Sequence, residues 1–131
     1  MNILIIEPDT VLAKLYTKAL QRAGDEVVCC VNAQSAVFSA DERQPDAVVL
    51  ELQLVKHSGI EFLYEFRSYP EWQAIPVIVL SNVPPVEFID NWKLLQRQLG
   101  VVDYLYKPHT TLAKLLKTVD NVRTTAVQLS P

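Results

Sequence analysis

Four short apolar runs are each followed by a polar group capable of chemistry. Ile3–Ile6 leads to Glu7 and, two residues on, Asp9. Val48–Leu50 leads to Glu51, Pro76–Leu80 to Ser81, and Val101–Tyr106 to Lys107. Singly, each signal has an ordinary explanation: an acid after a strand caps the next helix, and a lysine reaches into water. Together, carboxylates, a hydroxyl and an ammonium at the ends of separate strands of one sheet make a candidate site.

Other chemistries are excluded by the same reading. The three glycines, Gly24, Gly59 and Gly100, lie far apart, so no glycine-rich dinucleotide loop or P-loop can form. His57 and His109 are isolated, and no Cys/His spacing suggests zinc. No GxSxG elbow is present for a serine hydrolase. Cys29 and Cys30 are neighbours on a strand, point to opposite faces and read as small apolar residues in a reducing compartment.

The elements that must position these groups follow from periodicity. Asn2–Ile6 reads as a buried strand. Asp9 or Thr10 caps a helix whose apolar stripe is Leu12, Leu15, Tyr16, Ala19, Leu20 and Ala23. Glu26–Val31 is the second strand, and Asn32 caps a helix through Ala36, Val37 and Ala40. Ala47–Leu52 is the third strand, followed by the loop Gln53–Gly59 and a helix bearing Ile60, Leu63 and Phe66. Trp72 sits before the fourth strand, Pro76–Leu80, where it can cover the sheet edge. Pro84-Pro85 opens a fourth helix carrying Phe88, Trp92, Leu95 and Leu99 as core residues. Val101–Tyr106 is the fifth strand, and Thr110 or Thr111 caps the last helix. The domain is read as residues 1–122, with 123–131 a tail or the start of a linker. Five strand–helix units give a parallel sheet covered on both faces, with its site beyond the carboxyl ends of the strands.

Composition agrees with one soluble domain. The chain has 131 residues, half of them hydrophobic and 21% charged. No apolar run approaches a membrane span, and no secretory signal is present, so a cytoplasmic location is expected. A net charge of −3 with no Lys/Arg block argues against nucleic acid as a direct ligand.

The segments Ile3–Asp9, Pro45–Leu52 with Gly59, Ile75–Ser81 and Gly100–Pro108 together resemble the receiver domain of two-component response regulators, over residues 2 to 121. The resemblance implies a flavodoxin-like three-layer α/β fold with a five-stranded parallel sheet in the order 2-1-3-4-5. It also implies a phosphorelay module, not an enzyme, in which a histidine kinase passes a phosphoryl group to an aspartate ending the third strand. Acids ending the first strand hold Mg²⁺, a Ser or Thr on the fourth bonds the phosphoryl group, and a Lys on the fifth neutralises it. Glu7, Ser81 and Lys107 match their roles by position, and Tyr104 matches an aromatic that swings between exposed and buried states.

Two positions depart from that pattern. The acceptor position is Glu51 rather than Asp, and the second acid position is Pro8. The extra methylene moves the carboxylate outward by about 1.3 Å on ordinary bond geometry, and an error near 1 Å can cost on the order of 100-fold in rate. Pro8 supplies neither charge nor ligand, and Asp9 is better placed to cap a helix. Phosphorylation is therefore expected to fail and Mg²⁺ to bind weakly or not at all, with no other cofactor. Glu51 can instead reach Lys107, and Ser81 beside it. That contact would imitate the phosphorylated state, hold the site closed, or serve only structure. At an edge open to water such a pair is expected to contribute about 1–2 kcal/mol, between exposed and buried limits.

The function expected is a degenerate receiver, or pseudo-receiver, acting through protein contacts at the fourth helix, fifth strand and fifth helix. Its partners would be a kinase, an output protein or a second copy, with a two-fold contact around Asp103, Tyr104, Trp92 and Lys93. Tyr104 also reads as a packed strand residue. The alternatives are a phosphotransfer-competent receiver and a flavodoxin-like binder of a small ligand, the latter opposed by the lack of a phosphate loop after the first strand. His57 reads as a solvated loop residue.

Overall fold

The computed structural model describes the backbone of residues 1–129 and the side chains of residues 1–125. Its strands are β1 (Asn2–Ile6), β2 (Glu26–Cys30), β3 (Ala47–Leu50), β4 (Val77–Ser81) and β5 (Val101–Tyr106). They pair in parallel in the order β2-β1-β3-β4-β5. The register aligns Ile6 with Leu50, Leu50 with Val79, and Ser81 with Tyr106. Glu7, Glu51, Ser81 and Lys107 therefore share one edge. The helices are α1 (Thr10–Arg22), α2 (Ala33–Glu42), α3 (Gly59–Arg67) and α4 (Leu112–Leu129).

Both sheet faces are buried, which is why β1, β3 and β4 are continuous apolar runs. One core layer lies under α2, α3 and the β4–β5 crossover and contains Leu4, Leu50, Phe62, Phe66 and Leu95. The other lies under α1 and α4 and contains Ile5, Tyr16, Leu20, Ile78 and Leu115. Trp72 belongs to the first layer, stacked on Phe66 at 5.0 Å and against Tyr69 at 4.6 Å. Cys29 is exposed and Cys30 buried, as strand alternation requires.

The caps follow sequence chemistry. Asp9 accepts from the N–H groups of Val11 and Leu12, Asn32 from Ser35, Ser58 from Glu61 and Thr111 from Lys114. Arg67, at the end of α3, is buried without a carboxylate. Its guanidinium donates to the carbonyls of Leu99 (3.0 Å), Trp72 (2.5 Å), Ile75 (2.5 Å) and Gly100 (3.5 Å). Gly100 turns with φ +69°, and a Cβ there would meet the guanidinium at 2.2 Å.

Four features differ from the sequence reading. β3 stops at Leu50, because Gly59 N–H bonds the Leu52 carbonyl at 2.8 Å and folds the loop back; a Cβ on Gly59 would lie 2.7 Å from Leu52 Cα. The crossover after β4 is not a regular helix: Pro85–Asn91 is 3₁₀ and Leu94–Gln98 is π-helical. Two prolines begin it without N–H groups, and the wide π turn still buries both Leu95 and Leu99. Leu15 is half exposed, because Tyr16, Ala19 and Leu20 occupy the core face of α1. α4 runs through Leu129, so 123–129 is helix rather than irregular tail; Arg123 pairs with buried Asp25, and the Thr124 and Thr125 hydroxyls bond carbonyls four residues back. Ser130 and Pro131 lie outside the described residues. Among the described residues, no helix is long and apolar enough to cross a membrane.

Candidate functional site

Parallel pairing continues one residue past β1 and β3. Glu7 N–H donates to the Cys30 carbonyl (2.9 Å) and Glu51 N–H to the Ile6 carbonyl (3.0 Å), which fixes both carboxylates over the strand ends. Lys107 opens a 3₁₀ turn with Pro108 at the end of β5. Its ammonium lies 2.6 Å from Glu7 Oε1 and 2.7 Å from Glu51 Oε1. Glu7 and Glu51 are each 3% exposed, and the Lys107 side chain is 11% exposed. The cluster thus belongs to the buried regime, contrary to the intermediate exposure expected from sequence.

Glu51 collects four donors. Oε1 accepts from Lys107 and from Asn82 N–H (3.2 Å), and Oε2 from the Ser81 hydroxyl and from Gln53 N–H (3.2 Å). Ser81 Oγ in turn accepts from Val83 N–H at 3.0 Å. Tyr104 donates its hydroxyl to the Val83 carbonyl at 2.6 Å. Its half-buried ring lies 5.9 Å from Phe88 and 6.3 Å from Trp92. A continuous chain of contacts therefore runs from Lys107 through Glu51, Ser81 and the Val83 backbone to Tyr104.

Burial pushes the Glu51 carboxyl up, but the bonds from Lys107, Ser81 and Gln53 outweigh it and hold the group below the ordinary glutamate value. Burial pushes Lys107 down, and Glu51 and Glu7 outweigh it, leaving the ammonium above the usual lysine value. Burial, with Glu51 and Glu87 nearby, raises the Tyr104 phenol to about 12. A carboxyl lowered by folding stabilises above its unfolded pKa and loses that contribution as pH falls through the folded one. A raised ammonium stabilises below its unfolded pKa and loses it as pH rises through the folded one. The pair's contribution should therefore be flat between the ordinary values of 4.5 and 10.5. A carbon-13 titration of the Glu51 carboxyl should place its midpoint below 4.5; a midpoint above that value would contradict the assigned bonds.

The remaining candidates separate. Pro8 lies between the two acids with no side-chain oxygen. Asp9 Oδ1 is taken by the α1 cap, while Asp9 N–H bonds Glu7 Oε2 at 3.0 Å. Asp103 accepts from Tyr104 N–H at 2.9 Å and stays outside the cluster. His57 is exposed and pairs with Glu61. The two inward carboxylates hold the Lys107 ammonium, whereas a divalent cation would require several oxygens in near-octahedral order. Among the described residues, no three His, Cys, Asp or Glu side chains are grouped to hold a metal.

Tyr16 and the N–H groups of Gln53 and Asn82 escaped the sequence reading. Tyr16 packs in the core, as its stripe implies, and its phenol is raised by burial and also by Glu7 and Glu51, against Lys107. The signal was a hydroxyl within an aliphatic stripe. Backbone donors carry no residue signature at all.

Comparison with known proteins bears on the same residues. Residues 3–120 match the response regulator receiver domain. The chain is 34% identical over 107 residues to the KDP operon transcriptional regulatory protein KdpE of Escherichia coli, covering 82% of this chain and 44% of that protein. It is 28% identical over 127 residues to the probable transcriptional regulatory protein TcrX of Mycobacterium tuberculosis, covering 97% and 52%. The chain thus spans about half the length of these two relatives. Solved structures share the fold: the chemotaxis response regulator CheY4 of Vibrio cholerae (TM-score 0.80, 22% identity, 92% of this chain and 97% of that one) and the Francisella response regulator 1452 receiver domain (TM-score 0.80, 22% identity, 95% and 98%). With the strand order and the lysine–carboxylate site at the strand ends, the match over residues 3–120 establishes that the chain belongs to the response regulator receiver domain family of two-component systems.

Proposed function

We propose that this chain is a receiver module whose switch is set by its own Glu51 rather than by phosphorylation. The observation that carries this reading is the Glu51 carboxylate accepting from Lys107 and Ser81 together. In the receiver family a Lys and a Ser or Thr at these positions serve the phosphoryl group. Glu51 engages both with a fixed negative charge. Ser81 is thereby drawn toward the site, and Tyr104 is bonded inward at Val83. This corresponds to an active-like setting.

The same contacts oppose phosphoryl transfer. Both Glu51 oxygens are occupied by donors, which lowers their nucleophilicity. Lys107 is neutralised by two carboxylates, so the cluster carries about one net negative charge and repels an anionic donor. Mg²⁺ binding should be weak or absent, because Pro8 supplies no ligand and Asp9 caps a helix. Output then passes through protein contacts at the face formed by Pro85–Asn91, β5 and α4, where Val86 and Ile89 are exposed around Tyr104 and Val102 is exposed on β5. The partner is a kinase, an output protein or a second copy of the chain. The names of its relatives point to transcriptional control.

Incubation with a small phosphodonor and Mg²⁺ should leave the intact mass unchanged, and Pro8→Asp with Glu51→Asp should gain one phosphoryl group. A wild-type chain that gains phosphate at Glu51 would overturn this reading in favour of a phosphotransfer-competent receiver.

A further inference from the structure

A second surface lies away from the Tyr104 face, between α2 and α3. Gln34, Val37 and Phe38 of α2 face His57, Glu61, Phe62 and Glu65 across an open groove. Phe38 is 70% exposed, an unusual position for a phenylalanine on a core-packing helix. The groove is acidic. Glu65 has no ion-pair partner among the described residues, nor do Asp41 and Glu42, one turn beyond Phe38. Glu61 has only the exposed His57.

The opposite side of the molecule carries the complementary pattern. α1 contains no acid from Thr10 to Arg22. Its outer face presents Lys14, Lys18 and Arg22, all exposed and without ion-pair partners among the described residues. The same face exposes Val11 and Leu15. Lys14 and Lys18 are four residues apart, as are Glu61 and Glu65, so the two pairs share a rise of about 6 Å along their helices. Val11 and Leu15 have that spacing too and offer apolar surface to the exposed Phe38. The two surfaces cover different core layers on opposite faces of the sheet, so one chain cannot join its own.

We infer that the α2–α3 groove receives α1 of a second copy, a head-to-tail contact between different surfaces of identical chains. Such a contact either closes into a ring or extends into an open assembly. It depends on charge, because its rim pairs are exposed and screened within about 8 Å at physiological salt. It leaves the Tyr104 face free, so it is independent of the switch setting.

Sedimentation velocity over a range up to millimolar chain tests it with two charge reversals. The wild type should show a weight-average mass rising about twofold or more with concentration at low salt, and falling back at high salt, as expected of heterologous association held by exposed charges. Lys14→Glu with Lys18→Glu should sediment as a monomer, and so should Glu61→Lys with Glu65→Lys. An equimolar mixture of the two should associate again, because each restores the other's complement. Phe38→Ser, which leaves every charge in place, should also weaken association, and Tyr104→Ala should not. A monomeric wild type at all concentrations, or reversals that associate like the wild type, would overturn the inference and leave the groove to a different basic partner.

Discussion

Lys107→Met is expected to lower the unfolding free energy by about 3–5 kcal/mol, the range for breaking a buried ion pair by removing one partner. The substitution keeps an apolar stem of similar length but leaves Glu7 and Glu51 facing each other without a cation, each 3% exposed. The sequence suggested less, because a strand end is normally open to water. In the folded chain the N–H groups of Gln53 and Asn82 bond Glu51, that of Val83 bonds Ser81, and both carboxylates are buried. Glu51→Gln with Lys107→Met should recover part of the loss by removing one unpaired charge. Urea denaturation of the four proteins gives the coupling as a double-mutant cycle, and a value under about 0.3 kcal/mol, within ordinary additivity error, would mean that Glu51 and Lys107 do not act as a pair.

Arg67→Met should cost about 3 kcal/mol, although Arg67 touches neither the strand-end cluster nor the Tyr104 face. Its guanidinium satisfies the carbonyls of Leu99, Trp72 and Ile75, with Gly100 more distant. Methionine fills the channel of the stem but returns no donor, and each buried acceptor left unsatisfied costs about 1–3 kcal/mol before water repairs some of them. Arg67→Lys should lose nearly as much, because a single ammonium cannot reach the separate carbonyls that the in-plane Nε, Nη1 and Nη2 donors of the guanidinium satisfy. Thermal or urea denaturation checks both. A loss under about 1 kcal/mol for Arg67→Met would show that water replaces the guanidinium freely.

Arg67 also marks the limit of reading this chain from its sequence. Glu7, Glu51, Ser81 and Lys107 were legible because each follows a buried strand, and parallel pairing brings such positions to one edge. The strand order came only through family resemblance, since alternation of strands and helices fixes the parallel sheet and not its permutation. Arg67 carried no sequence signal because the acceptors that bury it are backbone carbonyls, two of them more than thirty residues away, which have no residue signature. The crossover kept a helical apolar spacing through Phe88, Trp92, Leu95 and Leu99, yet Pro84 and Pro85 forced a 3₁₀ start that periodicity could not register. α4 outran its apparent end because Arg123 pairs with Asp25, a contact between residues 98 positions apart. The burial of the Lys107 cluster was missed for the same reason: the enclosing groups come from other elements.

The proposed switch setting rests on Glu51 holding Ser81 and, through the Val83 backbone, Tyr104. Fluorine NMR of the chain labelled with 3-fluorotyrosine, with the Tyr104 resonance assigned by Tyr104→Phe, reads that connection without a partner or a phosphodonor. The wild type should give one narrow Tyr104 resonance, only partly relaxed by a paramagnetic agent in the solvent. In Glu51→Ala the hydroxyl of Ser81 loses its acceptor, so the Tyr104 resonance should shift or broaden and become more sensitive to that agent, while Tyr64, Tyr69 and Tyr106 stay in place. A Tyr104 resonance unchanged by Glu51→Ala would contradict the account, for Tyr104 would then be packed by Phe88 and Trp92 alone and Glu51 would set nothing.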